Sequence, residues 1–104
     1  FSQGAMTVLF TGLRRAIAPR AILAFSGALV APDTLAGEIR NHAPVTIVHG
    51  QADDVVPVER SRTAEATLRT LGVPVDSTYV PYVGHGIDQT GLATGALALA
   101  RAFA

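Results

Sequence analysis

A serine, two aspartates and a histidine in this sequence are residue types that together can cleave an acyl bond. Ser2 stands in the opening stretch FSQG. With a glycine ahead of it, this stretch would complete the pattern G-x-S-x-G, which places a serine on a sharp turn between a strand and a helix. Asp53 and Asp54 lie in the segment HGQADDVVP, and His85 is the middle residue of GHG.

The chemistry explains why these residue types belong together. A serine hydroxyl is a weak nucleophile until a neighbouring imidazole accepts its proton. The imidazole needs a carboxylate that holds its tautomer and stabilises the imidazolium. The sequence therefore predicts Ser2 as nucleophile, His85 as base, and one of the two neighbouring aspartates as the orienting acid.

Each residue also has an ordinary structural interpretation. Ser2 could cap the helix that follows it, His85 could be a loop or core histidine, and aspartates are common turn formers. His49 and His42 compete with His85 for the role of base. We expect a structural role for His49 at a strand end and a surface turn at His42.

The pattern of apolar residues predicts helices and strands in strict alternation. We expect Met6, Phe10 and Leu13 to face the core from the first helix, and the last helix to bury Leu92, Ala96, Leu99 and Phe103. Glycines 4, 84 and 86 are expected where the backbone turns sharply or passes close to a substrate. The predicted elements are a helix over residues 3–18, a strand over 20–25, a helix over 33–40, a strand over 44–50, a helix that begins near Pro57 and ends before Gly72, a strand over 75–83 and a helix over 89–103.

Such alternation predicts an α/β fold with a parallel sheet and helices on both faces. Ligands gather at the carboxyl ends of the strands in such sheets. The loops that carry Asp53, Asp54 and His85 each follow a predicted strand, and Ser2 would follow a strand that precedes it. All three loops should therefore meet at one edge of the sheet.

The composition excludes several classes of function. The 104 residues carry 8 basic and 8 acidic side chains, so no electrostatic nucleic-acid surface is expected. The lack of cysteine excludes disulfides, thiolate metal sites and a cysteine nucleophile. No apolar run approaches the roughly 18 residues of a membrane span. We expect a cytoplasmic protein that needs no metal and no cofactor.

The segments FSQGAM, FSGAL, VTIVHGQADDVVP and GHGID together resemble the phospholipase/carboxylesterase family of α/β-hydrolases, which includes bacterial carboxylesterases and acyl-protein thioesterases. The resemblance implies a serine carboxylesterase that hydrolyses small apolar esters, thioesters or lysophospholipids through an acyl-enzyme. It implies Ser2 as nucleophile, His85 as base and Asp53 as acid. Asp53 is preferred because the loop of this family reads H-G-x-x-D-P-x-V-P, in which Asp54 occupies the proline position.

The same resemblance suggests the remaining parts of the site. The backbone N–H of Gln3 is expected to be one donor of the oxyanion hole. Leu29, Val55 and Val56 are expected either to line an acyl pocket or to belong to the core.

The 104 residues are expected to be the C-terminal part of a single α/β-hydrolase domain that begins at the nucleophile turn. A companion segment or chain would supply the upstream strands and the second oxyanion donor. The alternative is a catalytically incomplete piece with a structural or interaction role, and a homodimer stays open.

Overall fold

The computed structural model describes all residues from 1 to 104, in which four helices alternate with three strands. The elements are α1 (Gln3–Gly12), β1 (Ile22–Phe25), α2 (Pro32–Glu38), β2 (Val45–Gly50), α3 (Val58–Thr70), β3 (Val75–Val80) and α4 (Gln89–Ala102). The predicted order of elements is confirmed, although most of them are shorter than predicted. None of the helices combines the length and the apolar character needed to cross a bilayer.

The three strands form a parallel sheet in the order β1-β2-β3. In its register, Ile22 lies beside Val45, and Val45 lies beside Val75. Every residue of β2 is buried, which explains why its sequence VTIVHG is almost continuously apolar or β-branched. The carboxyl ends of β2 and β3 therefore lie side by side, and the loops that follow them leave at the same edge of the sheet.

Helices cover both faces of the sheet. On one face, alternate strand residues such as Ala24 and Ile47 join a core with Leu9 of α1, Leu35 of α2 and Leu68 of α3. On the other face, α4 packs against strand side chains that point the opposite way, such as Phe25 and Val48. The predicted parallel sheet with helices on both faces is confirmed.

The first helix is shorter than predicted and buries a different face. It ends at Gly12, and Ile17, expected within it, is 77% exposed. The Asn41 amide donates to the carbonyl oxygens of Gly12 and Arg15 at 2.8 and 2.9 Å, so the chain leaves the helix there on a fixed path. The buried stripe is Ala5, Leu9 and Leu13, whereas Met6 and Phe10 are only partly buried. The predicted stripe was thus wrong in two of its three positions.

The expectation for the last helix was also wrong. Leu92 and Phe103 are 66% and 68% exposed, and Ala96 and Leu99 are exposed as well. The residues of α4 that are buried against the sheet are Gly91 and Gly95. A Cβ atom at Gly95 would lie 2.7 Å from the ring of Phe25, so the helix backbone packs directly on the strand side chains. Glycine at this position permits the close approach, and the leucines of α4 lie on its outer face.

The third helix follows its sequence signals closely. Pro57 precedes it, and Gly72 follows it with φ of 79°, a conformation that favours glycine. Glu65 and Arg69, which their spacing of four residues predicts to pair along one helix face, lie 2.7 Å apart. The Tyr79 hydroxyl in β3 donates to the same Glu65 carboxylate. The strand β3 ends at Val80, three residues before the predicted end, because Pro81 has no N–H with which to continue the ladder. Aspartate is a preferred N-cap residue, so the sequence predicts Asp33 as the cap of the second helix. That helix instead begins at Pro32, with Ala31 in the capping position.

Candidate active site

Ser2 lies on a sharp turn that delivers the chain into α1. Its φ and ψ are 53° and −118°, a conformation that costs a non-glycine residue about 1–3 kcal/mol. The Ser2 N–H donates to the carbonyl of Phe25 at 2.7 Å, which anchors the turn to the end of β1. Such a strained turn at the edge of a sheet is the geometry associated with the G-x-S-x-G pattern.

A continuous chain of hydrogen bonds runs from Ser2 through His85 to Asp53. The Nε2 atom of His85 lies 3.0 Å from the Ser2 Oγ, and its Nδ1 lies 2.8 Å from the Asp53 Oδ2. A carboxylate only accepts, so Nδ1 carries the hydrogen and donates it to Asp53. In the neutral ring the Nε2 lone pair then faces the Ser2 hydroxyl. The arrangement can take a proton from Ser2 as its oxygen attacks an electrophile.

The Asp53 carboxylate is buried within its own loop. Its Oδ1 accepts the N–H groups of Val55 and Val56 at 2.9 and 2.8 Å. Burial by itself raises the pKa of Asp53, but the hydrogen bonds from His85 and from these two N–H groups outweigh it and bring the pKa below its usual value. Asp53 therefore stays ionised at neutral pH. Asp54 is exposed to solvent and makes no such contact.

The loop that carries His85 is held against the end of β2 by a glycine that the sequence interpretation did not single out. A Cβ atom at Gly50 would collide with the carbonyl oxygens of Val83 and Gly84. The N–H of Ala52 donates to the Val83 carbonyl at 2.9 Å. This close approach, which only a residue without a side chain permits, holds the chain just before His85 against the loop that carries Asp53. The sequence does contain a signal for this role, because Gly50 directly precedes the loop that carries Asp53.

Glycines 4, 84 and 86 are not crowded by other protein atoms, although the chain turns sharply at 84–86, where the Gly86 N–H donates to the Gly84 carbonyl at 3.0 Å. Their expected closeness to a substrate stays a prediction. A Cβ atom at Gly4 or Gly86 would meet no atom within 4 Å, and one at Gly84 only the Ala52 carbonyl at 3.9 Å. None of the three has a positive φ. Crowding occurs instead between elements that are distant in sequence, as at Gly50.

The Gln3 N–H is the first backbone donor after Ser2. It lies at the start of α1, and no backbone carbonyl accepts it. The N-terminus of a helix favours negative charge, and a free N–H beside the nucleophile can stabilise an oxyanion. The Phe1 ring covers one side of His85, with ring centroids 4.9 Å apart.

An apolar groove lies along α1 beside the serine turn. It has a volume of about 310 Å³ and is lined by Gln3, Met6, Thr7, Phe10 and Val30. The residues proposed for the acyl pocket lie elsewhere: Leu29 joins the hydrophobic core, Val56 is buried, and Val55 is 64% exposed. Four of the five groove residues recur at helical spacing in α1, and this periodicity could have found them; Val30 comes from the loop after β1.

The other two histidines are placed differently from each other. His42 is exposed, whereas His49 is completely buried below the Asp53 loop. His49 contacts Ser61 and Val56 through its two ring nitrogens and does not reach Ser2. No group of three or more acidic, histidine or cysteine side chains is arranged to hold a metal ion.

Comparison with known proteins gives consistent matches. The model of the phospholipase/carboxylesterase family matches residues 1–98. Acyl-protein thioesterase 1 of Gibberella zeae is 32% identical over 90 residues, which cover 82% of this chain and 38% of that protein. These matches confirm the family resemblance of the sequence motifs.

Solved structures of other proteins also resemble this chain. The crystal structure of esterase PE8 superposes with a TM-score of 0.95 at 46% identity, covering 97% of this chain and 47% of that one. Acyl-protein thioesterase 2 of Zea mays shares the fold, with a TM-score of 0.91 at 22% identity over 100% of this chain and 54% of that one. The chain thus spans about half the length of these structures, and 38% of the curated thioesterase.

The two neighbouring aspartates should differ sharply in effect. Asp53→Asn is expected to reduce kcat for p-nitrophenyl esters by about 10⁴, because the imidazole loses the carboxylate that sets its tautomer. Asp54→Asn is the matched control and should cost little, because that side chain faces solvent. Steady-state kinetics of both variants test this, and equal losses would show that the wrong carboxylate has been assigned.

A second prediction concerns Gly50. Gly50→Ala should push the Val83–Gly84 backbone outward and move His85, and a displacement of about 1 Å can cost about 10² in rate. Gly86→Ala, in the same loop, places its Cβ in open space and should leave kcat nearly unchanged. Parent-like kcat in Gly50→Ala would contradict the positioning role of this contact.

Proposed function

This chain belongs to the phospholipase/carboxylesterase family, and we propose that it carries the nucleophile, base and acid of a serine carboxylesterase. The observation that carries the proposal is the hydrogen-bonded chain Ser2–His85–Asp53, with distances of 3.0 and 2.8 Å. The three residues come from loops far apart in sequence. A purely structural role for each of them would not require this alignment.

In the acylation step, the Ser2 Oγ attacks the ester carbonyl while His85 Nε2 accepts the hydroxyl proton. Asp53 stabilises the imidazolium through the Nδ1–H bond. The carbonyl oxygen becomes an oxyanion, to which the Gln3 N–H can donate. The bond from the carbonyl carbon to the alcohol oxygen then breaks, and His85 returns its proton to the leaving alcohol. The product of this half-reaction is an acyl group on Ser2.

Deacylation repeats the same steps with water. His85 Nε2 removes a proton from a water molecule as the water oxygen attacks the acyl carbon. The bond to the Ser2 Oγ breaks, and the proton passes to that oxygen. The carboxylic acid leaves, and the site returns to its starting state without metal or cofactor.

The groove along α1 supports a preference for small, largely apolar acyl groups. Its lining of Met6, Phe10 and Val30, with Gln3 and Thr7, includes no charged side chain. A hydrocarbon chain attached to a carbonyl at Ser2 could lie along this surface. Thioesters and lysophospholipids share this apolar portion and are further candidate substrates.

We also propose that the working site includes a further segment, either earlier in the same polypeptide or on a companion chain. One edge of β1 is unpaired, and only one oxyanion donor is evident, at Gln3. The 104 residues would then be the C-terminal part of one α/β-hydrolase domain. These features equally favour the second candidate, a piece that is inactive by itself and acts through association.

Covalent labelling tests the nucleophile. An organophosphonate should add once to the intact active protein, and peptide mass spectrometry should locate the adduct on Ser2, because His85 activates that hydroxyl alone. Ser2→Ala should abolish both labelling and p-nitrophenyl ester hydrolysis. The proposal fails if Ser2→Ala hydrolyses these esters at the parent rate.

The need for a further segment can be tested separately. The isolated 104-residue polypeptide should lack cooperative unfolding, because one edge of β1 is left unpaired. It should also lack esterase turnover, because the loss of one oxyanion donor alone costs about 10²–10³ in kcat. Urea unfolding followed by circular dichroism and an ester assay would measure both. Cooperative unfolding together with ordinary turnover would show that these residues suffice.

A further inference from the structure

A second serine–histidine pair lies buried directly beneath the Asp53 loop. His49 at the end of β2 is completely buried, and its Nδ1 lies 2.6 Å from the Oγ of Ser61 in α3. Its Nε2 lies 2.7 Å from the carbonyl oxygen of Val56 and 3.2 Å from the Asp53 Oδ2. The proposed hydrolysis uses neither His49 nor Ser61 directly.

We propose that His49, oriented by Ser61, is a positioning residue that holds the Asp53 carboxylate in line with His85. This inference rests on the proposed function, because it assigns His49 a role in the same reaction. His49 touches neither the nucleophile nor the substrate groove. Its effect would pass through Asp53.

The hydrogen-bond partners determine where the imidazole carries its hydrogen. The Val56 carbonyl can only accept, so Nε2 must donate, whether the ring is neutral or charged. In the neutral ring, Nδ1 is then an acceptor for the Ser61 hydroxyl. The Val56 carbonyl thereby fixes the tautomer, and the Ser61 hydroxyl holds the rotation of the ring, as the partners of metal-bound histidines do.

The Nε2–H contacts two parts of the acid loop at once. It bonds to the carbonyl of Val56, whose own N–H bonds to the Asp53 Oδ1. It also lies beside Oδ2, the oxygen to which His85 donates. The Asp53 Oδ1 is therefore linked to His49 through the hydrogen-bonded Val56 backbone, and Oδ2 lies 3.2 Å from the His49 Nε2. Rotation of the carboxylate away from His85 would separate Oδ2 from this N–H.

The pair also connects the acid loop to the rest of the site. The Ser61 Oγ also lies 3.4 Å from the carbonyl oxygen of Gly27, in the loop that follows β1; because its single hydrogen is donated to His49, this is a packing contact. Gly27 in turn packs against Ala5 of α1, the helix that begins beside the nucleophile.

The test is a double-mutant cycle between His49 and Asp53 in the intact protein, with active sites counted by phosphonate labelling. His49→Phe fills the space without the N–H and should reduce kcat per site by about 10- to 100-fold, the range for loss of an orienting partner of a metal ligand. KM should be unchanged. His49→Gln keeps an N–H near the Nε2 position and should recover most of the loss. His42→Gln, on the surface, is the matched control.

Positioning through Asp53 requires that the effect vanish when Asp53 is replaced. In the Asp53→Asn background, His49→Phe should leave the residual rate unchanged, whereas a packing defect would lower it by the same factor in both backgrounds. Equal factors, or parent kcat per site in His49→Phe, would overturn the inference. If His49→Phe does not fold, Ser61→Ala carries the same cycle, with a smaller loss expected and again none in the Asp53→Asn background. Full activity of Ser2→Ala would instead overturn the proposed function, so the two failures are distinct.

Discussion

A single buried negative charge, the Asp53 carboxylate, organises the site of this protein. Removal of a carboxylate from water is costly unless it is fully hydrogen-bonded, and here both oxygens accept donors. The donors come from its own loop and from His85 after β3. The favourable interactions of one ion therefore hold together two loops that leave neighbouring strands. No buried side-chain polar atom in the structure lacks a hydrogen-bond partner, so the polar groups around this charge are satisfied as well.

Ser2 lies at the other end of the hydrogen-bond chain and is held in an unfavourable backbone conformation. A non-glycine residue keeps a φ of 53° only when surrounding contacts hold it in place. One is the hydrogen bond from its N–H to the Phe25 carbonyl, and another is the packing of Ala5 on Gly27. The strain and the support for it both lie at the carboxyl end of β1. In this way the sheet edge provides the precision that an acyl-transfer site requires.

Close packing between backbones is the second constraint, and glycines make it possible. Gly50 admits the His85 loop at the end of β2, and Gly95 admits α4 onto the ring of Phe25. Bulky residues of α4 such as Leu92 and Phe103 are consequently left exposed.

The alternation of elements and the order of serine, aspartate and histidine could be predicted from the residues alone, because both depend on local signals. Apolar periodicity and markers such as Pro57 and Gly72 act within a few residues of their own position. The buried faces of α1 and α4 could not be predicted, because Ala5 and Gly95 are buried through contacts with residues far away in the chain. His49 was missed for a different reason: it is only four residues from Asp53, but its Nε2 comes to 3.2 Å from that carboxylate only because the loop folds back over β2. Hydrophobicity indicates which residues avoid water. The distance between two packed elements depends on the tertiary structure, and only small residues fit where that distance is short.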